Sequence, residues 1–243
     1  MTIESLDHYL AAQKQKIVIT KTTSMTAIAG CFMDPIAQAG NPGAGVLAGT
    51  STAAGVVPTD ATAGFPTINA FASGAMGHLS IFEFSNSVPS RIRAYDVLFK
   101  AGAYAYNANT TLAGQPSYAS RVPNTTDFKS LELWIAGVTA FTGNLSITIT
   151  YTNQDGTAGK TTGSVATGIA PIVGQLVQIP LAAGDSGISK VESVVATVAA
   201  AGTFNVLVLR RLDEGRVKSA NDGDCHDFLK TGAVEVFADS AIL

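Results

Sequence analysis

Charged residues are scarce in this 243-residue chain, because Asp, Glu, Lys and Arg together make up only 14% of it. An ordinary soluble domain carries about 25%. Small neutral residues fill the difference, and a surface of this kind costs little to desolvate when another subunit docks on it. The composition therefore favours a chain that functions within an assembly, the alternative being a merely alanine-rich globular domain.

Runs of basic residues are also missing, and the formal net charge is −3. Because binding to a phosphate backbone needs a basic footprint, we expect no nucleic acid as a direct ligand. No apolar run approaches the ~20 residues of a membrane helix. Residues 1–15 also lack the pattern of a secretory signal. We therefore expect no membrane partner.

Cysteine is nearly absent, since Cys31 and Cys225 are the only two. A secreted scaffold held by disulfides would carry more of them. We predict two buried free thiols in a protein made in the reducing cytoplasm.

The sequence shows no catalytic constellation. Gly184-Asp185-Ser186-Gly187 is similar to the nucleophile motif of chymotrypsin-like proteases, but that chemistry also needs a histidine base and a carboxylate. The three histidines, His8, His78 and His226, lack the sequence context of that family. Because the motif lies between two strand patterns, we predict a turn, no catalytic residue and no enzyme activity.

Two polar segments raise the question of metals and cofactors. Residues 221–227 (NDGDCHD) place Asp222, Asp224 and His226 close together, and such donors can hold Ca²⁺ or Zn²⁺. The closing Glu of an EF-hand and a second Cys/His pair are missing, so a solvated loop is favoured. Residues 40–45 are glycine-rich without the Lys and Ser/Thr of a phosphate loop. We assign no metal and no cofactor.

What the sequence has in quantity is the β-strand pattern, seen best in Leu145–Tyr151. Apolar residues alternate there with Ser and Thr, so a strand would have one apolar face and one face of hydroxyl side chains. Asn153-Gln154-Asp155-Gly156 follows, and its Asp-Gly pair suits a tight hairpin turn. Similar short runs recur to the end of the chain. In one of them, residues 204–212, both faces are apolar, which predicts a strand in the middle of the sandwich or beneath a second layer.

About ten short strands without amphipathic helices between them favour an all-β fold, an antiparallel β-sandwich of jelly-roll-like type. We predict a short helical arm over residues 1–15, capped by Thr2, followed by one β-sandwich domain over residues 16–243. Strands are expected at residues 16–22, 26–33 and 78–85. The Pro/Gly-rich segment 34–77 is expected to be an irregular insertion that lies across a neighbouring subunit.

Several aromatic residues and arginines allow two interpretations. Trp134 either stacks on a sugar or forms the edge of a core, and the second is the more frequent role of Trp. The same alternatives hold for Tyr104, Tyr106 and Tyr118 in a predicted loop. Four arginines lie within or at the ends of predicted strands: Arg91, Arg93, Arg210 and Arg211. Arg91 and Arg93 are two positions apart and share one face, which we interpret as a solvated edge or as a surface that meets an acidic partner, the solvated edge being favoured.

The run Thr148–Thr162 (TITYTNQDGTAGKTT) resembles a segment of tailed-phage and prophage virion proteins. Residues 41–45 (NPGAG), 95–99 (YDVLF) and 181–187 resemble phrases that occur in the same order in those proteins. The resemblance implies an all-β virion component, assembled in the host cytoplasm, and carries over no catalytic residue.

Within that group we expect a capsid decoration or cement protein. It would be a homotrimer that bridges major capsid protein subunits through its N-terminal segment and the long insertion. The alternative is a tail or baseplate component, with a carbohydrate-binding surface around Trp134.

Overall fold

The computed structural model describes residues 5–12, 14–26, 28, 31–144, 146–166, 171–197 and 201–243. The chain is mostly β, and every strand pair within these residues is antiparallel, so the all-β prediction is confirmed. No helix in this part of the chain is long and apolar enough to cross a membrane.

The elements follow one another along the chain as short and long strands with very little helix. The helices are α1 (Leu6–Ala11), two 3₁₀ turns (Ala119–Arg121 and Pro123–Thr125) and α2 (Phe228–Thr231). The strands up to residue 111 are β1 (Thr20–Lys21), β2 (Phe32–Met33), β3 (Gly40–Asn41), β4 (Gly77–His78), β5 (Phe82–Asn86), β6 (Ser90–Ala105) and β7 (Asn109–Thr111). The later strands are β8 (Leu131–Thr139), β9 (Ser146–Asn153), β10 (Lys160–Thr161), β11 (Val165–Ala166), β12 (Gln175–Ile179), β13 (Ile188–Ala196), β14 (Thr203–Val217), β15 (Asp222–His226) and β16 (Glu235–Val236).

The first large sheet has the strand order β2-β12-β8-β14-β6. Its long pair β14–β6 runs from Thr203 opposite Ala105 to Val217 opposite Ser90. Residues 204–210 of β14 are all buried because side chains on both faces of this strand are covered. The prediction that both faces of this strand are covered is confirmed.

The second large sheet has the order β10-β9-β13-β7, with β11 also paired to β9. The predicted alternation in β9 is confirmed, since Ile147, Ile149 and Tyr151 are buried between partly exposed Ser and Thr residues. Leu145 lies outside the described residues. The predicted tight turn is present, because Gly156 N–H donates to the Asn153 carbonyl at 3.1 Å and Asn153 N–H donates to the Thr157 carbonyl at 3.0 Å. Strand pairing with β10 begins further on, at Tyr151 opposite Lys160. Gly156, with φ +80°, supplies the only positive φ of the Asp-Gly pair.

One hydrophobic core is shared by the two large sheets. Leu133, Ile135 and Val208 from the first sheet belong to the same buried cluster as Ile149 and Val191 from the second. Burial of these side chains supplies the main driving force for folding, at about 1.5–3 kcal/mol for each large aliphatic residue.

The insertion 34–77 is mostly irregular, as predicted, but it covers its own sheet. Ile36 and Phe65 from the insertion pack with Trp134 and Leu209 on the outer face of the first sheet. Val56 pairs with Lys100 at the edge of that sheet. The prediction that this segment lies across a neighbouring subunit is therefore wrong for these buried parts, because their apolar side chains are already covered within the chain.

The C-terminal residues complete the same covering layer. Tyr95 N–H donates to the Leu243 carbonyl at 2.9 Å, and Leu243 N–H donates to the Tyr95 carbonyl at 2.8 Å. Val97 N–H donates to the Ala241 carbonyl at 2.9 Å. Residues 241–243 thus pair with the outer edge of β6.

Several predicted boundaries differ from the structure near the N-terminus. Helix α1 is only six residues long and is capped by Ser5, whose Oγ accepts from His8 N–H at 3.2 Å; Thr2 lies outside the described residues. The predicted strands at 16–22 and 26–33 shrink to β1 and β2. The predicted buried strand 78–85 is the half-exposed β5, in which Phe84 alone is buried. These segments pair only over a few residues, so local alternation overstates their length.

Both cysteines are free, as predicted, but neither is buried. Cys31 is half-buried, and Cys225 is exposed on β15.

Candidate interaction surfaces

The motif at 184–187 forms a turn, as predicted, and holds the second sheet together. Asp185 N–H donates to the Ala182 carbonyl at 3.0 Å. The Asp185 carboxylate accepts from Tyr151 Oη at 2.7 Å and from Asn153 Nδ2 at 2.8 Å. These hydrogen bonds lower the pKa of Asp185, while burial and the bond to Asp185 raise the pKa of Tyr151 to about 12.

Among the described residues, no histidine side chain hydrogen-bonds to Ser186. The His226 ring binds the Asp213 carboxylate, with 3.1 Å between Nδ1 and Oδ2. The His78 ring binds the Ala233 carbonyl, with 2.9 Å between Nδ1 and O. Ser186 N–H instead donates to Gln154 Oε1 at 3.0 Å, which fits the role of a turn.

Residues 222–226 form a strand, so the predicted solvated loop is wrong. Strand β15 pairs with β5, from Asp222 opposite Asn86 to His226 opposite Phe82. The Asp222 carboxylate accepts from Ser219 Oγ at 2.9 Å and from Gly223 N–H at 2.8 Å. The described residues contain no group of three or more His, Cys, Asp or Glu side chains that could hold a metal.

The aromatic residues considered for sugar binding are buried. Trp134 is only 2% exposed, and its Nε1 donates to Glu132 Oε2 at 2.8 Å. Tyr104, Tyr106 and Tyr118 are also buried. The interpretation of these four residues as core is confirmed, because their rings have no free face for a sugar.

A buried ionic cluster, absent from the sequence-based predictions, joins five parts of the chain. Asp96 on β6 accepts from Arg121 and, at 3.3 Å, from Arg210 on β14. Its carboxylate also accepts from Ser240 Oγ at 2.8 Å and from Ala241 N–H at 3.0 Å. Arg121 donates in addition to the Pro58 carbonyl in the insertion. The only sequence signal for this cluster is a lone aspartate within the apolar run 95–99.

The most exposed apolar side chains include a set around the two short helices. The Tyr9 ring of α1 lies 5.7 Å from the Phe228 ring of α2, measured between centroids. Beside this contact Leu10 and Leu229 are exposed, Leu229 to 77%. We call Tyr9, Leu10, Phe228 and Leu229 the two-helix patch.

A row of arginines lies on the outer face of the first sheet, where β6 and β14 run together. Arg91 and Arg93 on β6 flank the half-buried Ile92, and both contact Glu214 on β14, at 3.1 Å and 2.5 Å between Nε and the carboxylate oxygens. Arg211 lies 3.7 Å from Glu132 and 3.6 Å from Glu214. Arg216 is directly opposite Arg91 in the strand register. We call these four arginines and two glutamates the arginine ladder.

The inner part of the ladder is fixed by packing. Arg93 stacks over the Phe32 ring at 4.1 Å from the centroid, and its Nη1 donates to Tyr95 Oη at 3.2 Å. Tyr95 Oη donates in turn to Glu132 Oε2 at 2.8 Å. Arg210, by contrast, points into the buried ionic cluster, and burial lowers its pKa. The predicted solvated face of Arg91 and Arg93 is therefore confirmed for Arg91, which is exposed, and is wrong for Arg93, which is mostly covered.

No family model, no curated protein and no solved structure matches this chain. The features that bear on its function are the two-helix patch, the arginine ladder and the composition.

Proposed function

We propose that this chain is a structural protein of a phage virion, a capsid decoration or cement protein that bridges major capsid protein subunits. The observation that carries the proposal is the two-helix patch. It gathers exposed apolar side chains on a chain whose surface has few charges. Soluble monomers rarely leave contiguous apolar patches exposed, and such patches mark sites of association.

The structure changes which segment would do the bridging. The insertion 34–77 buries Ile36, Phe65 and Ile68 within its own chain, so these side chains are not available to a neighbour. Helix α1 presents Leu10 to solvent and touches the rest of the chain through Tyr9. Since a six-residue helix is marginal by itself, a partner surface would stabilise it on docking.

The fold suits this role. We propose that the two large sheets form a jelly-roll-like β-sandwich, because they share one core and all their pairs are antiparallel. We further propose a homotrimer. Three copies of a weak apolar contact, held together in one assembly, bind with far higher avidity than any one of them.

The proposal is tested by measuring the occupancy of this protein on purified virions, that is, the number of copies bound per particle. Leu229→Asp places a charge in the two-helix patch, and Val88→Asp makes the same change at another exposed apolar position. Because burial of one large aliphatic side chain is worth about 1.5–3 kcal/mol, Leu229→Asp should reduce occupancy by roughly 10- to 100-fold. Val88→Asp should leave it unchanged, and equal occupancy for both variants would contradict the proposal.

The alternative function is a tail or baseplate component. Quantitative mass spectrometry of virions separates the two, because a decoration protein is near-stoichiometric with the major capsid protein whereas a tail component is present in far fewer copies. The carbohydrate-binding form of this alternative has lost its support, since Trp134 is buried.

A further inference from the structure

We infer that the exposed end of the arginine ladder, around Arg91, Arg211 and Arg216, binds an acidic segment of a partner protein. This surface lies on the first large sheet and is distinct in residues from the two-helix patch. The inference concerns the chemistry of the partner and holds whether or not that partner is a capsid.

Two arginines of the ladder face each other across the strands, and their repulsion is only partly compensated. Arg91 and Arg216 are direct partners across β6 and β14, so their side chains leave the sheet on the same face. Directly opposite like charges destabilise a sheet. Glu214 binds Arg91, but no carboxylate among the described residues lies within 4.0 Å of the Arg216 guanidinium. An anion placed between the two arginines would remove this repulsion.

The exposed guanidinium groups of the ladder have hydrogen-bond donors that are free to bind a ligand. Arg91 uses Nε for Glu214, which leaves its two Nη atoms available. The contacts of Arg211 at 3.6 and 3.7 Å are longer than a hydrogen bond, and its side chain is 48% exposed. Arg216 is exposed as well. Each guanidinium presents a planar fork of donors that matches a carboxylate in two parallel hydrogen bonds.

The inner part of the ladder, next to the proposed binding surface, is held in place before binding. Its arginines project from the two longest strands, and Arg93 is fixed by Glu214, Tyr95 and the Phe32 ring. A surface that is ordered in advance spends less free energy on immobilising side chains when a ligand binds.

A carboxylate-bearing segment fits this surface better than a nucleic acid does. Glu132 and Glu214 lie among the arginines and would repel a continuous phosphate backbone. Nucleic-acid interfaces are strongly positive over a large area. This chain has a net charge of −3 and only four arginines in the ladder.

A titration of the full-length protein tests the inference, with a fluorescent hexaglutamate peptide as the probe. Arg91→Glu with Arg216→Glu should weaken binding at least roughly tenfold. Lys129→Glu with Lys190→Glu is the matched control, since it changes the net charge equally at two exposed lysines away from the ladder and should leave affinity unchanged. Equal weakening in both double variants would overturn the inference, because binding would then depend on net charge alone.

Two further measurements sharpen the result. An oligonucleotide of six nucleotides that binds more tightly than the peptide would overturn the choice of an acidic protein segment. Arg216→Glu alone should raise the melting temperature at low salt, because it turns a like-charge pair with Arg91 into an opposite-charge pair. A lower melting temperature would show that Arg216 has a structural role and would also overturn the inference.

Discussion

The carboxylate of Asp96 and the guanidinium of Arg121 form an ion pair from which water is excluded, since neither side chain has any exposed surface. The pair connects β6 with the 3₁₀ turn at 119–121, and through the Pro58 carbonyl with the insertion. A buried ion pair is costly to break, because removing one partner leaves an uncompensated charge. Ser240 and Ala241 supply the remaining donors to Asp96, whereas Nε of Arg121 has no hydrogen-bond partner among the described residues.

Asp96→Asn should destabilise the protein strongly. The substitution removes the negative charge and leaves Arg121 buried without a counter-ion, a change that costs about 3–5 kcal/mol in buried pairs. The free energy of unfolding from urea titration is the measurement. Asp155→Asn, at an exposed turn position, is the control and should change it little. A loss for Asp96→Asn no larger than that of the control would contradict the structural role of the cluster.

Gly215→Ala should loosen the small sheet formed by β5 and β15. A Cβ atom at residue 215 would lie 1.9 Å from Cζ of the buried Phe84 ring, so the ring would have to move. Overpacking of this kind typically costs about 1–3 kcal/mol. Hydrogen exchange of the β5 and β15 amides should accelerate in the variant.

Gly43→Ala serves as the control for this substitution, because a Cβ atom there meets no atom within 4 Å. A second check is the double variant Gly215→Ala with Phe84→Leu. It should be less destabilised than the sum of its single variants, since the smaller side chain makes room for the methyl group.

Asp34→Asn should stabilise the protein at neutral pH. Burial raises the pKa of Asp34, so the folded state prefers the protonated carboxyl. Below the ordinary pKa of 3.8 the protonated carboxyl makes its full contribution to the free energy of unfolding. This contribution is lost as pH rises through the higher pKa of the folded state. The amide mimics the protonated acid and can still accept from Ile36 N–H.

Melting temperatures across a pH series check this prediction. The gain of Asp34→Asn over the wild type should be near zero in acid, should grow as pH rises and should then level off. A gain that is constant with pH would mean that ionisation of Asp34 is not its cause.

Asp185→Asn should destabilise the protein at neutral pH, which is the opposite of the effect expected for Asp34→Asn. Hydrogen bonds from Asn153 and Tyr151 lower the pKa of Asp185, so its ionised form stabilises the fold above the ordinary pKa of 3.8. This contribution disappears as pH falls through the lowered pKa. The variant should therefore be less stable than the wild type at neutral pH, and the difference in melting temperature should shrink in strong acid. If the difference persists unchanged, the loss comes from geometry and not from charge.

Sequence reasoning predicted the long strands because their pattern reflects their own burial. Strand β9 alternates since one face meets the shared core, and β14 is apolar throughout since both of its faces are covered. The short strands near the N-terminus were overextended, because their pairing depends on distant partners such as β12 for β2. Strand β15 was missed because its residues are polar and its order comes from β5.

The candidate surfaces were less accessible to sequence reasoning. Arg91 and Arg93 are separated by two positions, which places them on one face, but Arg216 joins them only through the strand register. The two-helix patch unites residues from both ends of the chain. The buried cluster depends on Arg121 and Ser240 reaching Asp96 from distant positions in the sequence. A local sequence pattern contains no information about contacts between residues so far apart in the chain.

The pairing of residues 241–243 with the edge of β6 has a consequence during protein synthesis. Ala241 reaches Asp96 across 145 positions of sequence, so the ribosome makes β6 long before the residues that close its edge. A sheet edge without a partner is a template for association between nascent chains. Contacts so distant in sequence also form slowly. We therefore expect newly made chains to need protection by a chaperone until this last segment has emerged.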